Sequence, residues 1–214
     1  MKYPKYEDYE KMYKRFFQKG VDYLLDNAEL KKEDVVLDVC GGNGRLTKEL
    51  VKYCDDVSYL DQELDMIPWD LKELGVTIYH EDIESYVKHS QKKYNKVFCE
   101  QAINYWLLTV DIEQFSNMIL PDGYFIFNTF SKKPPTSSLV KQYVIDHIHY
   151  LEVSYLLGNK VEHIQIREGY PPHFTEFDWI SKERFEEILS PYFDIELMNN
   201  GNSSLYKCRR KKYE

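Results

Sequence analysis

Apolar residues fall into two rhythms along this chain. Short, nearly unbroken apolar runs at Val35–Val39, Val57–Leu60, Val76–Tyr79, Lys96–Cys99 and Tyr124–Phe130 read as strands buried on both faces. Between them apolar residues recur at three- and four-residue steps. This predicts helices through Leu46, Leu50 and Val51, near Glu63–Leu74, and over Ile83–Lys88. The same spacing of Tyr6, Tyr9, Tyr13, Phe16, Gly20 and Leu24 predicts an N-terminal helix over residues 5–28, with Gly20 as a candidate break in it. Two further helix starts carry capping signals. Asp111 precedes Gln114 by three residues, flanked by the apolar pair Val110 and Phe115, and Ser181 sits between Ile180 and Phe185. Strands alternating with helices imply a parallel sheet covered on both faces.

The alternation breaks after the fifth strand. Residues 131–179 are too many for a simple connection. A helix is predicted over Ser138–Leu157, ended by Gly158-Asn159, then an extended segment from Val161 to Ile166. A Gly169–Pro172 turn leads to the alternating run Phe174–Trp179, giving a hairpin. Together these form an expected cap over the strand ends. Tyr192–Met198 and Ser203–Cys208 flank Asn199-Asn200-Gly201-Asn202, so the last two strands pair antiparallel.

Composition narrows the partners. With 43% hydrophobic and 30% charged residues, the 214-residue chain is ordinary globular material. The net charge of -8 argues against DNA or another polyanion as partner. The one basic run, Arg209–Lys212, reads as a solvated end. Four cysteines (Cys40, Cys54, Cys99, Cys208) lack paired spacing, which leaves no metal motif and fits a reducing, cytoplasmic location. The N-terminus lacks the apolar core of a signal peptide, and no apolar run approaches the roughly 20 residues that cross a membrane, so no membrane partner is expected.

Ligands of open parallel sheets bind outside the carboxyl ends of the strands. Here those ends carry Asp38, Asp61, Asp82, and Glu100 with Gln101. Between Asp38 and the next helix lies Cys40-Gly41-Gly42-Asn43-Gly44, where glycine lets backbone approach a ligand closely. Asp61 lies about twenty residues beyond, the spacing at which a carboxylate takes ribose hydroxyls. A dinucleotide fingerprint starting at Gly42 would need glycine at position 47, where Thr47 stands. A carboxylate at Asp38 also repels pyrophosphate and suits a cationic, amine-bearing cofactor.

With VVLDVCGGNGRLTKEL, VSYLD, VTIYHEDI and NKVFCEQAINYW in this order over residues 35–130, and FDIELMNN with SSLYKCR at the end, the chain resembles class I S-adenosylmethionine-dependent methyltransferases. The resemblance implies a Rossmann-like three-layer α/β sandwich in a single domain over 1–214. Its seven-stranded sheet would be mostly parallel with an antiparallel last strand, and a helix-hairpin cap would follow strand five. It implies S-adenosyl-L-methionine as cofactor. Asp38, Cys40 and Gly42 would face the methionyl and sugar portion, Asp61 the ribose, and Gln62 and Met66 the adenine. Asp82 and the Ile83 amide would meet the adenine edge, Glu100 and Gln101 the methionyl amine, and Tyr13, or Tyr9, would close over the ligand. The family usually has glycine where Cys40 stands.

The acceptor expected is a small molecule methylated at O or N. CEQAINYW lacks the Asn-Pro-Pro-aromatic signature of enzymes acting on exocyclic base amines. Among His147, His149, His163, His173, Glu176 and Asp178 of the cap, His173 is the preferred base because it follows a Pro-Pro turn; Tyr105 is second, and Trp106 offers another aromatic face. Two other readings stand beside this one: a non-catalytic scaffold with the same fold, and a protein or RNA methyltransferase. The oligomeric state is left open.

Overall fold

The computed structural model describes residues 18–130, 139–145, 148–169, 172–200 and 203–212. Helix α1 (Gln18–Asp26) leads to β1 (Val35–Val39), α2 (Arg45–Leu50), β2 (Asp56–Asp61), β3 (Thr77–His80), α3 (Ile83–His89) and β4 (Tyr94–Glu100). A short turn of 3-10 helix (Ile103–Tyr105) precedes α4 (Ile112–Asn117) and β5 (Ile119–Phe130). The cap contributes β6 (Leu139–Ile145), β7 (Ile148–Leu157), β8 (Lys160–Arg167) and β9 (His173–Asp178). The chain then returns through α5 (Lys182–Leu189), β10 (Phe193–Asn200) and β11 (Ser203–Arg210).

The main sheet has the order β10-β11-β5-β4-β1-β2-β3. All neighbouring pairs are parallel except those of β11, which runs antiparallel to both β5 and β10. Winding reverses between β1 and β4, which opens a crevice at their carboxyl ends. Strand alternation divides the core between the two faces. Leu37, Val39, Phe125 and Phe127 join Phe115, Phe185 and Tyr206 on one face. Val36, Phe98 and Ile126 join Val21 and Leu24 of α1 and Leu46 and Leu50 of α2 on the other. The predicted caps are formed: Asp111 accepts from the Gln114 amide at 3.0 Å, and Ser181 from the Arg184 amide at 3.3 Å.

Three expectations change. The helix near Glu63–Leu74 is two 3-10 segments, Leu64–Met66 and Trp69–Leu74, because Pro68 between them cannot sit inside a helix. The predicted helix over Ser138–Leu157 is instead the antiparallel pair β6–β7, part of a four-stranded sheet ordered β6-β7-β8-β9. Its abundant β-branched and aromatic residues favour a pleated surface over a helix. Apolar residues occupy both faces of these strands, which imitated a three-four spacing. The predicted hairpin survives as β8–β9. Within α1, Gly20 lies inside the helix, packed toward Asn128 and Glu100, and does not interrupt it. The part of the N-terminal helix expected before residue 18, with Tyr9 and Tyr13, lies outside the described residues.

Candidate functional site

The loop after β1 is built around the absence of side chains. A methyl group on Gly41 would meet the Tyr59 ring at 2.4 Å, and one on Gly44 would meet Pro68 at 2.5 Å. Gly42 and Gly44 have φ of +52° and +68°, a region glycine enters without strain. Tyr59 braces the loop by donating its hydroxyl to the Gly42 carbonyl at 2.6 Å. Cys40 is also left-handed, with φ +55°. That geometry accounts for a glycine preference at this position, and the cysteine side chain carries a conformational cost of about 1 kcal/mol there.

Three carboxylates converge beside this loop. Asp38, 1% exposed, accepts from Thr47 Oγ1 at 2.6 Å through Oδ2, while its buried Oδ1 has no hydrogen-bond partner among the described residues. Burial pushes its carboxyl up to about 7, with the Thr47 bond opposing and the charges of Glu100 and Asp61 adding to the rise. Asp61 accepts the Gly42 amide on Oδ2 and the Glu63 amide on Oδ1, both at 2.8 Å. Burial raises its carboxyl as well, against those two amides. Glu100, at the end of β4, receives Arg45 Nη2 on both oxygens at 3.0 and 2.8 Å. Burial raises Glu100 and the Arg45 charge opposes it.

The neighbouring backbone is shaped around the same point. Gln101 has φ +58°, and its amide donates to Asn128 Oδ1 at 2.8 Å. Asn128, fully buried, stands opposite Glu100 in the β4–β5 register. Thr129 Oγ1 donates to Asn104 Oδ1 at 3.0 Å. Non-glycine residues held in such backbone regions cluster at functional sites.

The structure therefore brings Asp38, Cys40, Gly42, Asp61, Glu100 and Gln101 together. Met66 joins them, its Cε within 3.8 Å of a methyl placed on Gly42. Asp82 is committed locally: it caps α3, accepting the Ser85 amide and hydroxyl, each at 2.8 Å, and these bonds hold its carboxyl below the usual range. Ile83 opens that helix and is buried. Gln62 is exposed, with its carbonyl 3.0 Å from His80 Nε2.

Tyr105 links the cap to the strand ends. Its ring meets Phe177 of β9 edge-on at 5.7 Å, and its hydroxyl bonds the Thr175 side chain. Phe130 stacks on Phe177 at 5.6 Å. Tyr105 and Phe130 remain 44% and 47% exposed. Trp106 is core, packed against Phe115 and Phe125. His173 begins β9 opposite Gln165. His149 is exposed on a shallow groove of the cap beside Val144 and Leu151, and His147 lies outside the described residues. Glu176 and Asp178 both pair with Lys160.

Arg45 and Asn128 were missed in the sequence. The available signals were a lone basic residue directly after the glycine loop, and a polar Asn-Thr pair closing the apolar strand β5. The C-terminal basic run has local partners throughout. Arg209 pairs with Asp194 and Lys212 with Asp122, Arg210 bonds the Ile119 carbonyl and Asn117, and Lys211 the Ser190 carbonyl.

A sequence model of the ribosomal RNA adenine dimethylase family matches residues 16–104, less than half of the chain. No curated protein matches the sequence. Solved structures match over nearly its whole length. An S-adenosylmethionine-dependent methyltransferase from Clostridium acetobutylicum superposes with a TM-score of 0.75 at 16% identity, covering 97% of this chain and 99% of that one. DesVI of Streptomyces venezuelae gives 0.72 at 17% identity over 98% and 100%. CalS10, an amino pentose methyltransferase from Micromonospora echinaspora, gives 0.70 at 12% identity over 99% and 98%. The chain has the class I methyltransferase fold.

Proposed function

We propose that this protein transfers the methyl group of S-adenosyl-L-methionine to a nitrogen or oxygen of a small polar acceptor. One observation carries the reading. Asp38 is a buried carboxylate beside the glycine loop with an unpartnered oxygen, in a site that also holds Asp61 and Glu100. A buried acceptor without a partner is costly, and a cationic, amine-bearing ligand relieves that cost. The donor set fits such a ligand, and the loop is open at Gly42, where an added methyl would come no nearer than 3.8 Å to its neighbours.

In this reading Asp38 and Glu100 hold the ammonium group. Arg45, already paired with Glu100, provides the opposite charge for a carboxylate. Asp61 has acceptor capacity left beyond its two amide bonds and takes the ribose hydroxyls. Met66 and Gln62 flank the adenine, and the α3 N-terminus with Asp82 and Ile83 meets its edge. When bound, the cofactor supplies a methyl group activated by its sulfonium. The chain's own work is to fix the acceptor in line with that group, an alignment worth up to ~7–11 kcal/mol, and to exclude water with the cap.

A small acceptor is supported by the acidic surface charge and by the likeness to an amino pentose methyltransferase. A second reading, an RNA acceptor, is favoured by the match to the ribosomal RNA adenine dimethylase family. Against it stand the net charge of -8 and the local pairing of the C-terminal basic run. Incubation with methyl-labelled cofactor and a cell extract, fractionated into metabolites, RNA and protein, separates the readings. Label is expected in small polar metabolites. Asp61→Ala is expected to weaken binding of S-adenosylhomocysteine at least tenfold, as loss of charge-assisted hydrogen bonds implies; near-parental affinity removes the ribose assignment.

A further inference from the structure

The face of the cap sheet that turns toward the main sheet carries a polar row not used above. Leu156, Val161 and Phe177 anchor this face in a small apolar cluster with Trp179, and Phe177 lies on Tyr105 and Phe130. Two residues along each strand, on the same face, come Ser154, His163 and Thr175. They are direct neighbours, with His163 paired to Ser154 on β7 and to Thr175 on β9. Ser154 Oγ and His163 Nδ1 are 2.6 Å apart. The Thr175 side chain bonds the Tyr105 hydroxyl, and the Tyr105 ring lies against Phe177. One step further along, Gln165 Nε2 donates to Glu152 Oε1 at 3.1 Å, and Gln165 Oε1 is buried without a hydrogen-bond partner among the described residues. The row runs along the polar underside of the cap to Tyr105, in the turn that follows β4.

Resting on the methyl-transfer reading, we propose that His163 is the base of this site: with its Nδ1–H donated to Ser154 Oγ, its Nε2 takes the proton that the acceptor nitrogen or oxygen gives up on methylation. The electron pair of the broken N–H or O–H bond remains on the acceptor atom, which bonds the methyl carbon; the pair of the methyl–sulfur bond stays with sulfur; the proton passes from Nε2 to solvent. The groups facing the ring are Lys141 from β6, Glu152 and Ser154 from β7, Gln165 from β8 and Thr175 from β9. Burial and Lys141 hold the imidazole below the ordinary histidine range, and Glu152 acts in the opposite sense. The ring is accordingly neutral near pH 7, the form a base requires. Glu152, Gln165 and Thr175 give the acceptor a hydrogen-bonding wall, which selects a small hydroxylated amine or alcohol over an apolar one. His173, the residue preferred from sequence, starts the neighbouring strand opposite Gln165, one step beyond this pair.

The test uses the full chain, with three readouts. Ring nitrogen shifts of His163 at pH 7.5 are expected to show hydrogen on Nδ1 and a bare Nε2; the reverse tautomer overturns the proposal, whatever the enzyme's activity. His163→Gln is expected to keep its affinity for S-adenosylhomocysteine while label transfer to the metabolite fraction falls by about 10²-fold or more, and the acid limb of the rate profile disappears. Added imidazole is expected to restore transfer in His163→Ala. Ser154→Ala, a milder change, should lower turnover without altering KM. Unchanged turnover and pH profile in His163→Gln, with S-adenosylhomocysteine still bound, sink the base and leave the methyl-transfer reading standing. A parental chain that does not bind S-adenosylhomocysteine, or labels nothing in the extract, takes both down.

Discussion

The main sheet and the cap sheet differ in what their faces meet. The central strands of the main sheet are covered on both sides, with aromatic residues such as Phe125 and Phe127 fully buried between helices and sheet. The cap sheet buries a few apolar residues on its inner face and leaves Val140, Val144, Ile166 and Phe174 exposed on the other. Rigidity and adaptability are thereby separated. The glycine loop and the three carboxylates stand on strands that cannot shift without disturbing a two-sided core. The polar row stands on a sheet held by few contacts, and regions with few buried contacts open most easily. Such a division suits a site in which one ligand is constant and the other must enter under a cover.

Ion pairs give the sharpest way to test this contrast. Lys96 and Asp34, at the amino-terminal end of the central strands β1 and β4 and so opposite the site, bond each other with both side chains 7% exposed. Lys96→Met retains volume and strands a buried carboxylate. It is expected to cost about 3–5 kcal/mol in urea unfolding. Lys160 pairs with Glu176 and Asp178 in the cap while itself 49% exposed. Lys160→Met should cost less than about 1 kcal/mol. Equal losses would erase the distinction between the two sheets.

Asp38 sharpens the contrast through pH. Its folded-state carboxyl, raised to about 7 by burial, binds a proton more tightly than in the unfolded chain. Stability therefore falls as pH rises from the ordinary carboxylate range toward 7, then levels off. Asp38→Asn is expected to melt at a higher temperature than the parent above pH 7, with the gap closing below pH 4, and to bind S-adenosylmethionine poorly. A constant gap across that range would mean that burial of this charge is not the cause.

Cys40→Gly is the smallest effect. Relief of the left-handed φ of +55°, against the backbone entropy of glycine, should raise unfolding stability by up to about 1 kcal/mol and leave cofactor affinity equal or improved. A destabilised variant would show that the cysteine side chain contributes packing that outweighs its strain.

The main sheet was legible because its signals are local and redundant. Val35–Val39 and Tyr124–Phe130 are apolar runs too short for helices, and Gly41, Gly42 and Gly44 mark the one junction where backbone must approach closely. Asp38, Asp61 and Glu100 could be assigned to one rim because parallel strands all deliver their carboxyl ends to the same side. Asp82 was legible as a strand-end residue, but not its engagement by Ser85, since an acidic residue before a helix can cap it or face a ligand from the same position. Pro68 was a visible breaker that the longer periodicity around it obscured. In the cap, residues 139–157 read equally as a helix, because apolar side chains on both faces of a pleated strand also recur at three- and four-residue steps.

The chain by itself determined the α/β alternation, the strand order's acidic rim, the glycine loop and the closing hairpin. Each follows from periodicity or from a residue's own backbone freedom, which neighbours far along the sequence do not alter. Only the tertiary structure decided that Arg45 reaches Glu100, that Asn128 holds the Gln101 amide, and that His163 stands between Ser154 and Thr175. Those partners lie 55, 27, 9 and 12 residues apart in the chain. Their meeting depends on strand register and on which face each side chain takes, and a shift of one residue would reverse the face.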